Sequence, residues 1–360
     1  MSMIGRRELL LSLPGLAMAA RAAGQAAKPT IPVKTLNHFE LAVSDVQRSI
    51  DFYQGLFGMP IQARHGSTVL LRIGDGPQFL ALSPAGGNPP RIVPRVGLTV
   101  ENFPDRINPI LDVLKQHGVT AAAEERPGPT VSPMKWWVGE RKPENGGATE
   151  GTRELFVGDP DGVLLQIQDL AYAGGAGRLG DVVKLEPSPT KGLLALKDMS
   201  HFTIGVSDAN RTQTFYKDVF GLPVRSMQAT TPGLGVGPGV MFLMFIGGGG
   251  GRGGRGARGA ATDAAPPPRA NVNHVSMNME NFNPNATLKT LAEFGITERG
   301  SGGGAAGPLR SYITLRMPDR GGAPGGTPEL YFTDPDGLLL QLQDVSYCGG
   351  GGFLGNVCIG

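Results

Sequence analysis

The 360-residue chain has little cysteine, few charges and no long apolar run, and each shortage removes a class of protein. Two cysteines cannot form the disulfide framework of a small secreted scaffold. A net charge of +2 with 18% charged residues gives no electrostatic reason to expect nucleic acid as a partner. No stretch approaches the ~18 consecutive apolar residues of a membrane-spanning helix, so no stable membrane anchor is expected. Histidine is scarce, at five residues, which narrows any search for a metal or acid–base site. No Ser-His-Asp or Cys-His nucleophile arrangement, Walker loop or dinucleotide fingerprint stands out.

Glycine is abundant, at 56 residues with 30 prolines. Spread evenly, such a composition signals disorder, but here much of it falls in a few blocks between periodic, apolar segments. The chain is long enough for two domains, each with a core of its own. Residues 1–30 read as a targeting segment: Arg6-Arg7, an apolar stretch to Ala20, and Ala17-Met18-Ala19 as a small-residue cleavage site. The twin arginine resembles the Tat type of export signal, which implies a periplasmic or secreted protein. An ordinary amphipathic N-terminal helix is the alternative. Cys348 and Cys358 lie close together at the other end, and in an oxidising compartment a disulfide closing this loop would contribute roughly 2–3 kcal/mol. Two thiolates on a metal is the competing reading, with no histidine nearby in sequence.

The strongest signal is internal repetition. LNHFELAVSD at 36–45 returns as MSHFTIGVSD at 199–208, and SIDFYQGLFGMP at 49–60 as TQTFYKDVFGLP at 212–223. RELFVGDPDGVLLQIQD at 153–169 returns as PELYFTDPDGLLLQLQD at 328–344. The offset grows from 163 residues at the start to 175 at the end. The insertion falls in a Gly/Arg/Pro-rich run near 247–269, which cannot bury apolar area and is expected to be a flexible loop, with an RGG-type nucleic-acid tract as the alternative. The repeat divides the chain into a first module at 31–180, a linker at 181–196 and a second module at 197–360.

In each copy a strand of alternating character ends at Ser-Asp, a helix N-cap signature. The helix that follows in copy one gathers Ile50, Phe52, Tyr53, Leu56 and Phe57 mostly on one face and closes at Gly58. Strands VLLRIG and FLALS follow in copy one, and GVMFLMFIG in copy two. A second strand-helix unit then begins at RVGLTVENF and at NHVSMNMENF, and Asp-Pro-Asp-Gly joins the last two strands. Each copy is thus an α+β unit of antiparallel character.

This order of elements, with H-F-x-x-x-V-S-D, F-Y-x-x-x-x-G and D-P-D-G each occurring twice, resembles the vicinal oxygen chelate superfamily of glyoxalases, bleomycin-resistance proteins and extradiol dioxygenases. The resemblance covers about residues 34 to 345. It implies tandem modules of paired βαβββ units forming cupped mixed sheets, with a divalent metal in the cup where one is present. Ligands would come from the first strand, from the strand opening the second unit, and from the last strand, normally as glutamate. In copy two those positions carry His201, His274 and Gln341; in copy one they carry His38, Arg95 and Gln166. Arginine stays protonated and cannot ligate, so the first module is expected to be metal-free. Two imidazoles with an oxygen donor suit Fe, Mn or Zn. Glu329, two residues from Tyr331 on one strand face, is a candidate ligand or hydrogen-bond acceptor, although its counterpart Glu154 stands in the copy without a site.

Tyr331-Phe332-Thr333-Asp334 resembles the phrase in which extradiol enzymes carry a pocket acid. Copy one has Phe156 there. The same signature expects a histidine a few residues upstream, and residues 318–328 contain none. His65 and His117 have no sequence partners and read as surface residues, and Trp136-Trp137 as packing. The pairs Gln166/Gln168 and Gln341/Gln343 put two amides on one sheet face, as ligands or as a polar lining. Two functions follow: a metal-dependent dioxygenase-, lyase- or isomerase-like enzyme on a small oxygen-rich or aromatic substrate, or a non-catalytic small-molecule binder of the bleomycin-resistance type.

Overall fold

The computed structural model describes residues 28–123, 132–247, 270–300 and 306–359. The N-terminal targeting segment up to residue 27 and the Gly/Arg/Pro-rich run from 248 to 269 lie outside the described residues. Among the described residues no helix is long and apolar enough to cross a membrane.

Among the described residues four α-helices, α1 (Val46–Phe57), α2 (Phe103–Gln116), α3 (Ala209–Phe220) and α4 (Pro284–Glu293), pack on three mixed sheets. The duplicated helix ends obey the same local rules. Asp45 accepts a hydrogen bond from the Arg48 N–H, and Asp208 accepts from Asn210 and Arg211, satisfying N–H groups that a helix start leaves bare. Gly58 and Gly221 close the same helices in the left-handed region. At Gly58 a Cβ would also lie 2.1 Å from the Lys191 carbonyl oxygen, so only glycine lets the inter-module segment pass.

The first module has two sheets. One runs Ile61–His65, Thr68–Arg72, Phe79–Pro84, His38–Val43, Arg91–Ile92 in spatial order. The other runs Thr35–Leu36, Arg95–Val100, Leu164–Asp169, Thr152–Gly158, Lys135–Arg141, Thr120–Ala121. In the second module the equivalent units fuse into one nine-stranded sheet, because Leu196–Val206 and Asn271–Met279 are long enough to pair directly, His201 opposite Ser276 and Thr203 opposite His274. A separate hairpin, Val224–Gln228 with Thr231–Gly235, extends this sheet at a place where the sequence showed no strand pattern.

Side chains alternate across these strands. Phe202, Ile204, Val275, Met277, Leu330, Phe332, Leu340 and Leu342 enter one continuous core shared by both modules. The intervening residues, among them His201, His274, Gln341 and Tyr331, face the concave side. Phe39 meets Phe202 edge-on at 6.5 Å, and Phe57 lies 5.9 Å from Phe332, so the core crosses the boundary between the copies.

The Asp-Pro-Asp-Gly turns make the same crossing. Within its own turn Asp159 accepts from the Asp161 and Val163 N–H groups, and Asp334 from Asp336 and Leu338. Each turn then reaches the other module's first helix. Tyr216 donates to Asp159 at 3.3 Å, and Tyr53 to Asp334 at 3.2 Å. Asp161 accepts from Ser207, Thr212 and Arg211, and Asp336 from Ser44 and Arg48.

Burial pushes Asp159 up to about 7 and Asp334 up to about 6, against the opposing pull of their backbone N–H donors. The fold therefore binds these protons more tightly than the unfolded chain does. Their stabilisation is complete below the unfolded value of about 4 and is lost as pH rises through the folded values. The Asp159→Asn/Asp334→Asn variant should accordingly gain stability relative to the native chain as pH is raised from 5 to 8. Urea denaturation at both pH values checks this, and a constant difference would contradict it.

Candidate functional site

The two cups share a plan but differ in how their polar groups are matched. In the first, His38 Nδ1 is 2.8 Å from Asn37 Oδ1 and Nε2 is 3.1 Å from Gln166 Oε1. The chain of contacts continues from Gln166 Nε2 to the Tyr172 hydroxyl, from that hydroxyl to Glu154, and from Arg141 to Glu154. Burial, then Arg95, lowers the His38 pKa to about 3, so the ring is neutral. The ring stacks on Phe79 at 4.6 Å. It also lies so close to Gly97 that a Cβ there would be 2.2 Å from Nδ1. Arg95, in the second ligand position, is 2.8 Å from Glu40. No pair of ligand nitrogens converges here.

In the second cup the two histidine rings point their Nε2 atoms at each other, 3.3 Å apart. His201 leaves the first strand of its unit and stacks on Phe242 at 4.3 Å, with Nδ1 3.1 Å from Ser200 Oγ. His274 leaves the first strand of the next unit, with Nδ1 2.9 Å from Asn273 Oδ1. If the carboxamide oxygen accepts from Nδ1–H, the His274 Nε2 is left to face the cup. Burial, followed by His274, holds the His201 pKa well below its ordinary value, so His201 is in the neutral state a metal ligand requires.

Gln341 comes from the last strand. In the sheet register Ser276 stands between it and His201, paired with both. Gln341 is 1% exposed and lies close enough to His201 to oppose the lowering of its pKa, yet neither Oε1 nor Nε2 reaches full hydrogen-bond geometry with a described group. Ser276 Oγ, Asn278 Oδ1, Gln343 Nε2 and Ser226 Oγ are also unmatched in this module. The first module leaves Arg95 Nε, Trp136 Nε1 and Gln168 Nε2 unmatched, Gln168 being the counterpart of Gln343, so what sets the second cup apart is Ser276 and Gln341 in register with His201. The residues fit a metal on separation as well. Two nitrogens each about 2.1 Å from one ion stand about 3.0–3.4 Å apart at octahedral to tetrahedral angles, which brackets the observed 3.3 Å.

Glu329 occupies a different part of the cup. Arg316 donates to its Oε1 at 3.0 Å, and Tyr347 and Tyr331 contribute their hydroxyls at 3.3 and 3.2 Å. Arg316 also donates to the Gly321 and Gly350 carbonyls, tying the C-terminal tail over the sheet. Arg141 and Glu154 repeat this arrangement, down to bonds with Gly146 and Gly175. Among the described residues no group of three or more His, Cys, Asp or Glu side chains could hold a metal ion. A metal here would therefore rest on His201, His274 and the amide of Gln341.

Tyr331 is 2% exposed and meets the His274 ring edge-on at 5.3 Å, which puts its hydroxyl next to the histidine pair and against Glu329. Its other face stacks on Tyr312 at 5.2 Å, and the Arg299 guanidinium lies 5.2 Å from the Tyr312 ring. Register places Trp137 against Phe156 as Tyr312 is placed against Tyr331, so Trp137 has a counterpart in copy two, and it packs on Phe156. Trp136 packs against the joint core. His65 is not a free surface residue. It is half-buried, with Nε2 against the Gly174 carbonyl under the first module's tail. His117 lies near the end of α2, with its ring nitrogen 3.1 Å from the Pro29 carbonyl oxygen. Cys348 and Cys358 form a disulfide that closes the C-terminal tail, and Tyr347 of that tail lies 5.6 Å from the His201 ring. Sequence reasoning missed Ser276, Asn278 and Tyr312. The spacing 274, 276, 278 along one strand face was the available signal for the first two.

The sequence profile of the Glyoxalase/Bleomycin resistance protein/Dioxygenase superfamily matches residues 35–167 and 198–342, once per module, and the chain belongs to that superfamily. No curated protein matches it. Among solved structures it is similar to a catechol 2,3-dioxygenase, with TM-score 0.55, 15% identity, and 89% of this chain and 88% of that one covered. A Mn(II)-bound glyoxalase from Novosphingobium aromaticivorans gives TM-score 0.53 at 15% identity, over 86% and 82% of the two chains. Homoprotocatechuate 2,3-dioxygenase from Brevibacterium fuscum, as a mutant, gives 0.54 at 16%, over 89% and 74%. At these identities the likeness is one of fold.

Arg316→Met or Glu329→Gln alone should destabilise the protein by about 3–5 kcal/mol, because each leaves a buried partner unmatched. The double variant should lose less than the two single losses combined. Chemical denaturation of all three checks this, and single losses below about 1 kcal/mol would show that the pair is not structural.

Proposed function

We propose that this protein is a divalent-metal-dependent enzyme acting on a small oxygen-rich or aromatic substrate, with extradiol-dioxygenase-like chemistry as the leading form and glyoxalase-like chemistry as the next. The observation that carries this reading is the convergence of the Nε2 atoms of His201 and His274, 3.3 Å apart, beside the buried amide of Gln341, which completes no full hydrogen bond. When bound, an Fe, Mn or Zn ion would polarise two adjacent substrate oxygens or, as Fe or Mn, activate O₂. The chain's own residues supply the rest. Ser200 and Asn273 fix the rings of His201 and His274. Tyr331, hydrogen-bonded to Glu329, offers a hydroxyl that can donate a proton to a substrate oxygen or accept one from it. Phe242 and Tyr312 give the concave face flat apolar area next to these polar groups. The solved structures of similar fold include catechol dioxygenases and a Mn(II)-bound glyoxalase, which supports the choice of chemistry.

The first module serves as scaffold in this reading. Its histidine is held by Asn37 and Gln166, and its second ligand position is an arginine. We also propose export to the periplasm or the cell exterior, on the twin-arginine segment and the small-residue site that follows it.

A second reading, a small-molecule binder without catalysis, is favoured by one observation: among the described residues no carboxylate completes the histidine pair. The two readings part on a single experiment. Protein lacking residues 1–27 is loaded with Fe(II), Mn(II) or Zn(II) in the presence of a catechol, and its metal content and oxygen uptake are measured. About one equivalent of metal and measurable turnover, both lost in His201→Ala/His274→Ala, are expected of the enzyme. Failure to retain any ion, with unchanged ligand affinity in the double variant, would leave the binder.

A further inference from the structure

The two copies also differ on the outer surface around their tails, where equivalent positions carry different kinds of side chain. In the first module this surface is charged. Arg64 pairs with Glu186 at 2.8 Å, Lys142 pairs with Glu140 at 3.0 Å, and Lys184 follows in the tail. At offsets of 163 and 175 residues, the second module has Met227 for Arg64, Leu315 for Glu140, Met317 for Lys142 and Ile359 for Lys184. The backbone bears out the correspondence: a Cβ on Gly146 would lie 2.5 Å from the Arg64 carbonyl oxygen, and one on Gly321 would lie 2.5 Å from that of Met227. With Val357 these apolar side chains are exposed, from 40% at Met227 to 68% at Val357. They are also neighbours. A Cβ on Gly326 would lie 2.8 Å from Leu315 Cβ and 3.2 Å from Met317 Sδ, and one on Gly351 would lie 3.8 Å from both the Gly321 carbonyl oxygen and Val357. The 3-10 turn Pro318–Arg320 joins Met317 to Gly321. Ile359 donates its N–H to the Arg225 carbonyl, and the disulfide at Cys358 fixes the tail between Val357 and Ile359. Both copies stand in one chain and meet the same solvent, so the exchange of ion pairs for a contiguous apolar patch marks an interaction surface.

We infer that this patch is the contact surface of a symmetric dimer, in which the second module of one chain docks on the second module of a second copy. Two arguments select that occupant. The five side chains expose about 500 Å² per copy, or about 1,000 Å² in a pair before any polar rim is counted, which reaches the lower bound for a specific interface. The charges on the turn that links the patch are complementary to themselves. Asp319 and Arg320 stand side by side there, both exposed. Across a two-fold axis through the turn, Asp319 of each copy faces Arg320 of the other, so one surface supplies both partners. The first module has Glu144 and Asn145 at these positions and carries only one of the two signs. A membrane surface would call for a basic rim, whereas Asp319 cancels Arg320. Docking on the tail also braces Tyr347, which lies 5.6 Å from the His201 ring.

The test is sedimentation velocity of the purified protein from about 1 to 100 µM, the range in which an interface of this size is expected to associate. Beside it runs a variant carrying the first module's residues, Met227→Arg/Leu315→Glu/Met317→Lys, whose fold is checked by circular dichroism and thermal melting. The wild type is expected to reach twice the chain mass, and the variant to associate at least about tenfold more weakly. Two single variants keep the test decisive even if the triple variant fails to fold. Asp319→Arg and Arg320→Asp should each weaken self-association, by setting like charges against each other, and an equimolar mixture of the two should recover it. A wild type that stays monomeric throughout would overturn the inference, and its binding to phosphatidylglycerol vesicles would assign the patch to a membrane instead. A dimer that the triple substitution leaves unchanged would also overturn it, as would charge variants that do not recover on mixing.

Discussion

The concave face of each sheet carries polar side chains that folding removes from water, and each must then be met by a donor, an acceptor or a ligand. Sheet alternation imposes this: filling one face with Phe202, Val275 and Leu340 obliges the next residues along to face the cup. The first module answers with a chain of internal contacts running from His38 through Gln166, Tyr172 and Glu154 to Arg141, while Arg95 Nε and Gln168 Nε2 stay unmatched. The second keeps the Arg316–Glu329 anchor of that set but leaves its histidine pair, Ser276 and Gln341 facing one another. The functional reading rests on that difference between two copies of one architecture.

The first module also has a structural role in this fold. The joint core and the crossed turns make each copy part of the other's structure. Tyr53 and Tyr216 each reach the other module's buried aspartate, and Ser44 and Ser207 each meet the second aspartate of the other module's turn. The site's first strand is packed through Phe202 against Phe39 of the first module, so the position of His201 depends on the other copy.

Much of this was legible in the chain because it is local or repeated. The caps at Asp45, Gly58, Asp208 and Gly221 follow from short-range hydrogen bonding, and the family resemblance carried by the repeated motifs pointed to His201, His274 and Gln341. The crossed turns were not legible, since nothing in Asp-Pro-Asp-Gly says that its acids bond a helix some 50 to 290 residues away. The arginine partner of Glu329 was within reach, because an arginine precedes the glutamate by 13 residues in both copies, yet pairing across a hairpin is a matter of register. The unmatched state of Gln341 could be learned only from three dimensions, as could the half-buried position of His65 beneath the first tail.

The central claim is that the second cup is built for a divalent ion, whereas the first holds its histidine through Asn37 and Gln166. Anomalous diffraction from crystals of the protein soaked with Mn(II) and 4-nitrocatechol tests it directly. The account predicts a single strong peak between the Nε2 atoms of His201 and His274, within bonding distance of Gln341, and none beside His38. A peak at His38 and Gln166, or no peak at the second pair, would contradict it.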